Sequence, residues 1–382
     1  MLKDKSFYKD KKVIVRVDYN VPVKDGIIED DNRILCSLKT INYLIESGAK
    51  IILMSHMGKI KCEEDKLNNS LKVVVDRLSS LLNKEVKFCK YTRGIELENM
   101  INSLKSSEVL LMENTRFEDY PNSLESSCDK KLSSYWASLG DTYVMDAFGS
   151  IHRNHASTYG IASILGGVTG FLVDEELNHL KDVLSNKNKI IILGGAKVSD
   201  KLGVIENLVN NSKKILLGGG MCFTFLKASG KNVGSSIVDE EKLDYCRSLL
   251  DKYSDKIILP VDICTENGVK NIDNINDDDI GFDIGNKTIN LYKTLISKGD
   301  LVVWNGPMGK FEDSKYEKGT KELLEYLSLN NIKTVICGGD TGSASKKYNL
   351  SFYYISTGGG ASLEYLEGKK FDVLEALNKW KE

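Results

Sequence analysis

The chain of 382 residues is 41% hydrophobic and 28% charged, which excludes a disordered protein and exceeds one compact core; two domains of ordinary size fit the length. Its 52 Lys and Arg nearly cancel its 54 Asp and Glu, so no nucleic acid or membrane surface is an expected partner and functional cations must be clustered locally. The eight cysteines form no CxxC pair and no Cys/His metal spacing; Cys36, Cys89, Cys222, Cys246 and Cys337 lie in or beside apolar runs, so reduced core thiols in a cytoplasmic protein are expected.

Residues Met1 to Lys12 are charged and lead straight into a strand-like run, with no apolar segment before it. No stretch approaches the roughly 18 apolar residues that span a bilayer. One unit then repeats: an aliphatic run, a polar or Gly-rich turn, and a helical stretch. The first set of runs is 12–18, 50–55, 86–89, 109–112 and 142–145; the second is 189–193, 214–217, 256–259, 301–304, 334–337 and 352–355. Near-continuous apolar strands alternating with helices predict parallel sheets covered on both faces. Two sets predict an α/β protein of two doubly wound, Rossmann-like domains. Between them, Gly166-Gly-Val-Thr-Gly170 precedes Val173, Leu177, Leu180 and Leu184 at helical spacing. The expected layout is a first domain over 1–168, a connector helix over 169–185 and a second domain over 186–365, with a cleft between the domains. The tail 366–382, with a short amphipathic helix from Phe371, can pack back on the first domain.

Polar turn chemistry follows where the second set of strands ends: Gly194-Gly195-Ala196-Lys197, Gly218-Gly219-Gly220, Asn305-Gly306-Pro307, Gly338-Gly339-Asp340-Thr341 and Gly358-Gly359-Gly360. Ligands on open α/β sheets bind beyond the carboxyl ends of strands, so these loops are expected to converge. Glycine lets backbone N–H groups approach a phosphate, and a following helix start adds its dipole. One such loop is usually a tight turn; several in one domain argue for a nucleotide. Neither GxGxxG nor a Walker A sequence occurs. Lys197 and Lys201 are expected on one face of a helix that starts at the glycines, within reach of phosphates, although a lysine pair is more often a solvated surface feature. Asp340 suits either a Mg²⁺ ligand or a helix cap.

The first set of strands ends instead on Asp18, Asn20, His56, Arg116 and Arg153. With Arg33, Lys59 and His152 these make a cationic constellation for a small polyanion, since arginine's planar fork matches phosphate and carboxylate. Each alone is more often a surface ion-pair member. A nicotinamide-dependent dehydrogenase and a non-catalytic anion-binding module share the two-lobed plan. The missing glycine fingerprint weighs against the first, and the glycine-and-lysine half against the second.

These residues stand in a series of motifs: Arg16-Val-Asp-Tyr-Asn-Val-Pro-Val23, Ser55-His-Met-Gly58, Glu113-Asn-Thr-Arg-Phe117, Asp146-Ala-Phe-Gly149 with His152-Arg-Asn-His-Ala-Ser157, Leu193-Gly-Gly-Ala-Lys-Val-Ser-Asp-Lys201, Gly218-Gly-Gly-Met221, Trp304-Asn-Gly-Pro-Met-Gly309 with Phe311-Glu312, Gly338-Gly-Asp-Thr341 and Ser356-Thr-Gly-Gly-Gly-Ala-Ser-Leu363. In order and spacing, over essentially the whole chain, they resemble the phosphoglycerate kinases. The resemblance implies reversible transfer of a phosphoryl group from 1,3-bisphosphoglycerate to MgADP, giving 3-phosphoglycerate and MgATP in glycolysis. It implies that Asp18, Tyr19, Asn20, Arg33, His56, Met57, Gly58, Lys59, Arg116 and Arg153 bind the triose substrate in the first domain. Lys197, Lys201, Gly219, Gly285, Asn305, Pro307, Glu312, Gly338, Gly339, Asp340 and Thr341 would bind nucleotide in the second, with Mg²⁺ on Asp340. One departure stands out: the family usually reads Ser-His-Leu-Gly-Arg-Pro where this chain has Ser55-His-Met-Gly-Lys-Ile60, so Lys59 offers a point charge in place of a fork.

Both nucleophiles of that reaction are anions at neutral pH, so no general base is expected, and catalysis rests on alignment and charge stabilisation. Arg33, Lys201 and Lys197 are the expected catalytic cations, with backbone donors at Gly338, Gly339, Gly359 and Gly360. The domains are expected to close about the connector helix, and the protein to act as a monomer.

Overall fold

The computed structural model describes residues 1–297 and 299–378, which fall into two compact units. The first comprises Met1–Leu177 and the described tail from Lys370. Its parallel sheet runs Val86–Cys89, Val109–Met112, Lys50–Met54, Lys12–Val17, Thr142–Asp146, Val168–Thr169. β-Branched runs suit strands covered on both faces, and five of the six residues in Lys12–Val17 are buried. Helix Asn32–Glu46 buries Ile34, Ser37, Ile41 and Leu44 at three- and four-residue spacing. Cys36 lies off that stripe and is only half-buried, unlike Cys89, Cys222, Cys246 and Cys337. It is therefore not the core thiol its flanking residues predict. None of the eight cysteines is in a disulfide.

The stretch 166–170 is more than a linker, because Val168–Thr169 pairs with Val144 and Met145 as the sixth strand. Gly167 permits this: at φ +141° a Cβ there would lie 2.4 Å from Tyr143 O. Helix Phe171–Ser185 follows, and the division between units falls inside it, between Leu177 and Asn178. Asp146, at the end of its strand, accepts N–H bonds from Leu172 at 3.0 Å and Val173 at 3.4 Å, supplying the start of this helix with a carboxylate. The tail helix Asp372–Leu377 buries Val373, Ala376 and Leu377. Within the first unit, Asn154 Nδ2 donates to Asp372 Oδ2 at 2.6 Å and Phe371 meets Phe148 edge-on.

The second unit, Asn178–Lys369, has a parallel sheet ordered Ile257–Ile258, Ser212–Leu217, Lys189–Leu193, Leu301–Asn305, Thr334–Cys337, Tyr354–Ile355. Strand order, not chain direction, switches between the parallel neighbours Lys189–Leu193 and Leu301–Asn305, so a crevice opens beyond the carboxyl ends of these two strands. A three-stranded antiparallel sheet of Asp262–Thr265, Gly268–Asn271 and Gly281–Ile284 is absent from the sequence reading. Its outer strand Gly268–Asn271 is largely exposed and has no apolar alternation to betray it. Among the described residues no helix is long and apolar enough to cross a membrane.

Candidate functional site

In the first unit, the turn after Lys12–Val17 is built by hydrogen bonds. Asn20 N–H donates to Asp18 Oδ1 at 3.1 Å, and Arg33, in the first turn of helix Asn32–Glu46, donates from Nη1 to both Asp18 oxygens (3.0 and 3.1 Å) and to Asn20 O at 3.0 Å. Arg33 Nη2 and Nε make no bond among the described residues, so two donor groups remain for an anion. The Asn20 side chain receives Gly58 N–H at 2.9 Å, which ties the turn to the loop after Lys50–Met54.

That loop carries His56, buried, with Nδ1 3.1 Å from Arg16 Nη2. Burial, then Arg16, Arg116, Arg153 and Arg33, drive the His56 pKa well below its ordinary 6.5. Arg16 touches this imidazole, and the charges of Arg116, Arg153 and Arg33 also act on it, so these expected cations share its electrostatic surroundings. Arg116, in the short helix Thr115–Asp119, pairs with Asp119 at 3.0 Å, while its buried Nε has no acceptor among the described residues. Arg153 is exposed and donates from Nε to His152 Nε2 at 3.2 Å. Lys59 is exposed and makes no ion pair among the described residues.

Two expected ligands are placed otherwise. Tyr19 is fully buried in the core, its hydroxyl 3.0 Å from Ser37 Oγ, and Met57 packs in the same core. Their side chains do not reach the site; their backbones shape it, through Tyr19 N–H to Ser55 Oγ at 2.7 Å and Met57 N–H to Asn114 Oδ1 at 3.1 Å. Asn114 was not among the expected residues, yet its amide also donates to Met57 O and Asn69 O. Arg16 stands in a predicted strand and at the head of a family motif, with no site role expected for it. A charge inside an otherwise apolar run was the available signal for it.

The second unit has a pocket of about 450 Å³ beyond the ends of its central strands, lined by Gly195, Ala196, Lys197, Asp200, Lys201, Asn305, Gly306, Gly338, Gly339, Asp340, Gly359, Gly360 and Leu363. Helices Gly339–Lys347 and Gly360–Leu366 both start at its wall, and first-turn N–H groups have no intrahelical acceptor. The pocket gathers Lys197, Lys201, Asn305, Gly338, Gly339, Asp340, Gly359 and Gly360, and adds Asp200 and Leu363.

Five expected nucleotide residues lie outside the lining. Gly219 N–H is taken by Met308 O at 2.8 Å, and Gly285 N–H by Asp262 O at 2.9 Å. Thr341 is fully buried and accepts Gly306 N–H at 2.8 Å, while Pro307 O accepts Gly195 N–H at 2.9 Å. Glu312 is exposed. These glycine loops therefore hold one another in place rather than offering every N–H to a ligand.

Lys197 and Lys201 are not on a helix. Residues 194–201 form an irregular loop, and helix Leu202–Val209 begins only after Lys201. The loop is held open by bonds from Gly194 to Asn305 O and from Met221 to Gly195 O, and glycine-rich segments resist helix formation. Both lysines still line the pocket. Lys197 is exposed, whereas Lys201 is only 8% exposed and burial lowers its pKa.

The model of the family described as "Phosphoglycerate kinase" matches residues 2–369. A phosphoglycerate kinase of Fusobacterium nucleatum is 52% identical over 385 residues, covering 97% of each chain, and one of Enterococcus faecalis is 50% identical at the same coverage. The chain belongs to the phosphoglycerate kinase family. Among solved structures, the phosphoglycerate kinase from Coxiella burnetii superposes with a TM-score of 0.85 at 34% identity, covering 98% of both chains. That from Pyrococcus horikoshii gives 0.84 at 33% identity, covering 97% of this chain and 96% of its own. Membership of the phosphoglycerate kinases makes this chain a glycolytic kinase that passes phosphate to or from a carboxyl group, with a nucleotide as co-substrate.

Proposed function

We propose that the first unit holds 3-phosphoglycerate or 1,3-bisphosphoglycerate on Arg33, His56, Arg116 and Arg153, with Asp18, Asn20, Gly58 and Lys59 completing the site, and that the pocket of the second unit holds ADP or ATP. The observation that carries this reading is the division of chemistry: arginines converge on His56 in one unit, and lysines with helix N-termini surround a pocket in the other. In the forward reaction the acyl O–P bond breaks, the carboxylate leaves as an anion, and a terminal oxygen of ADP forms the new P–O bond. No proton moves, so no general base is required. An imidazole driven well below its ordinary pKa is in any case a weak base.

Arg33 and Lys201 neutralise the migrating phosphoryl group, helped by Lys197 and by N–H groups at Gly338, Gly339, Gly359 and Gly360. Direct in-line transfer requires the two ligands to meet, which the chain can achieve by closing about helix Phe171–Ser185. Asp340 would hold Mg²⁺. Its carboxylate on the pocket wall fits such an ion, since Mg²⁺ is usually taken up by one or two protein carboxylates together with substrate phosphates. Bound there, the ion would offset phosphate charge. We place the enzyme in the cytoplasm, where its free thiols stay reduced, and as a monomer, since each unit carries its own half-site. Separate titrations with 3-phosphoglycerate and ADP test the division. Amide shifts are expected before about residue 165 for the first ligand and after about residue 186 for the second; nucleotide shifts centred on Arg116 and Arg153 would refute it.

A further inference from the structure

Strand Lys12–Val17 carries Arg16 in its interior and buries it completely. A buried guanidinium is costly unless every part of it is engaged. Here Nε donates to Ser157 Oγ at 2.8 Å, Nη1 to Val17 O at 2.5 Å, and Nη2 lies 3.1 Å from His56 Nδ1. Ser157 Oγ donates in turn to Glu125 Oε1 at 2.5 Å, and Ser157 N–H to Glu125 Oε2 at 2.9 Å. Ser157 and Glu125 are fully buried as well.

The proton direction of this chain is set at both ends. A guanidinium only donates and a carboxylate only accepts. Ser157 therefore gives its proton to Glu125 and accepts from Arg16, and His56 Nδ1 has to be an acceptor. A neutral imidazole that accepts at Nδ1 carries its proton on Nε2. His56 Nε2 makes no hydrogen bond among the described residues, so this N–H is available to a ligand.

We propose that Arg16, neutralised through Ser157 by Glu125, is a positioning residue that fixes His56 as an Nε2–H donor toward an anionic oxygen of the phosphoglycerate. The proposal rests on the assignment of His56 to the substrate site above. The alternative tautomer and the imidazolium would each set an imidazole N–H against a guanidinium N–H across 3.1 Å. The charges of Arg116, Arg153 and Arg33 add to the exclusion of the imidazolium. A phosphate or carboxylate oxygen can only accept, so the one tautomer that Arg16 leaves is the one that recognises it.

The chain has four histidines, so isotope-labelled histidine gives a tractable long-range proton–nitrogen spectrum that reports each tautomer. His56 is expected as the Nε2–H form in the ligand-free enzyme, with its resonances shifting on addition of 3-phosphoglycerate. Arg16→Lys, still an obligate donor, should keep the tautomer. Arg16→Gln, whose amide can accept, should yield mixed tautomers and raise KM for 3-phosphoglycerate roughly 10-fold, the scale of one charge-assisted hydrogen bond, with KM for ATP unchanged. His56→Gln retains an N–H near the Nε2 position, and in that background Arg16→Gln should add less than about 2-fold, because the two residues act as a unit. A proton on Nδ1 in the wild type would overturn the proposal, as would an equal KM loss in both backgrounds. Should Arg16→Gln fail to fold, the wild-type spectrum still decides the tautomer. An Nε2–H form indifferent to 3-phosphoglycerate would locate the error in the substrate-site assignment instead.

Discussion

Gly338 joins strand Thr334–Cys337 to helix Gly339–Lys347 at φ +103°, on the wall of the pocket where we propose the nucleotide binds. In Gly338→Ala the new Cβ would lie 2.8 Å from Asn305 Nδ2, the atom that donates to Cys337 O at 2.7 Å. Two costs follow. Holding an L-residue at φ +103°, ψ 144°, a region occupied essentially by glycine, costs about 1–3 kcal/mol. Displacing the Asn305 amide leaves a buried carbonyl without its donor, about 1–3 kcal/mol. The loop relieves this by shifting, which moves the first-turn N–H groups away from the phosphates, so the loss is expected mainly in nucleotide affinity. A minimum of about 2 kcal/mol corresponds to roughly 30-fold in Kd for MgADP. Gly359→Ala is the matched control on the same wall: its φ is +52° but no atom lies within 4 Å of the added Cβ. Only the conformational cost applies there, about 1 kcal/mol or roughly 5-fold. Calorimetric titration of each variant with MgADP and with 3-phosphoglycerate makes the comparison, and binding of the latter should not change. Equal nucleotide losses in the two variants, or a parallel loss of 3-phosphoglycerate affinity, would refute this account of the pocket.

Arg33→Ala should depress kcat steeply with little change in nucleotide KM, whereas His56→Gln should cost far less than the ~10²–10⁴-fold of a lost general base; the reverse order at saturating substrates contradicts the mechanism. Lys59→Arg should lower KM for 3-phosphoglycerate by several-fold, about 1 kcal/mol, by adding a fork at an exposed position with no ion pair of its own among the described residues; an unchanged KM means this side chain does not touch the substrate. Burial raises the Asp146 and Asp283 carboxyls from 3.8 to about 7, so the folded protein binds more protons than the unfolded chain between those values, and stability should fall as pH rises from about 4 to about 7. Asp283→Asn should flatten that slope in chemical denaturation of the second unit, and an unaltered slope would rule Asp283 out.

Much of the fold was legible because its signals are local. Short, β-branched runs such as Lys189-Ile-Ile-Ile-Leu193, each followed by its turn residues, read as strands buried on both faces, so two parallel sheets could be read directly. Val168–Thr169 escaped because two residues carry no periodicity, and the sheet around Asp262–Thr265 because its strands are four residues long with no apolar run, the outer one Gly268–Asn271 largely exposed. The cationic residues around His56 were nameable from type and position, but not the difference between Arg33, partly open, and Tyr19, sealed in the core.

Sequence alone thus determined the two-domain α/β architecture, the family and the split between arginine-rich and glycine-rich halves, since all three are written in contiguous motifs. Only the tertiary structure decided which glycine N–H groups face a pocket and which are spent on neighbouring loops. It also decided that Lys197 and Lys201 share a loop and not a helix, and that Arg16 meets both Ser157, 141 residues away, and His56. Those outcomes depend on burial and on hydrogen-bond partners brought in from distant strands, which no local pattern of residues encodes.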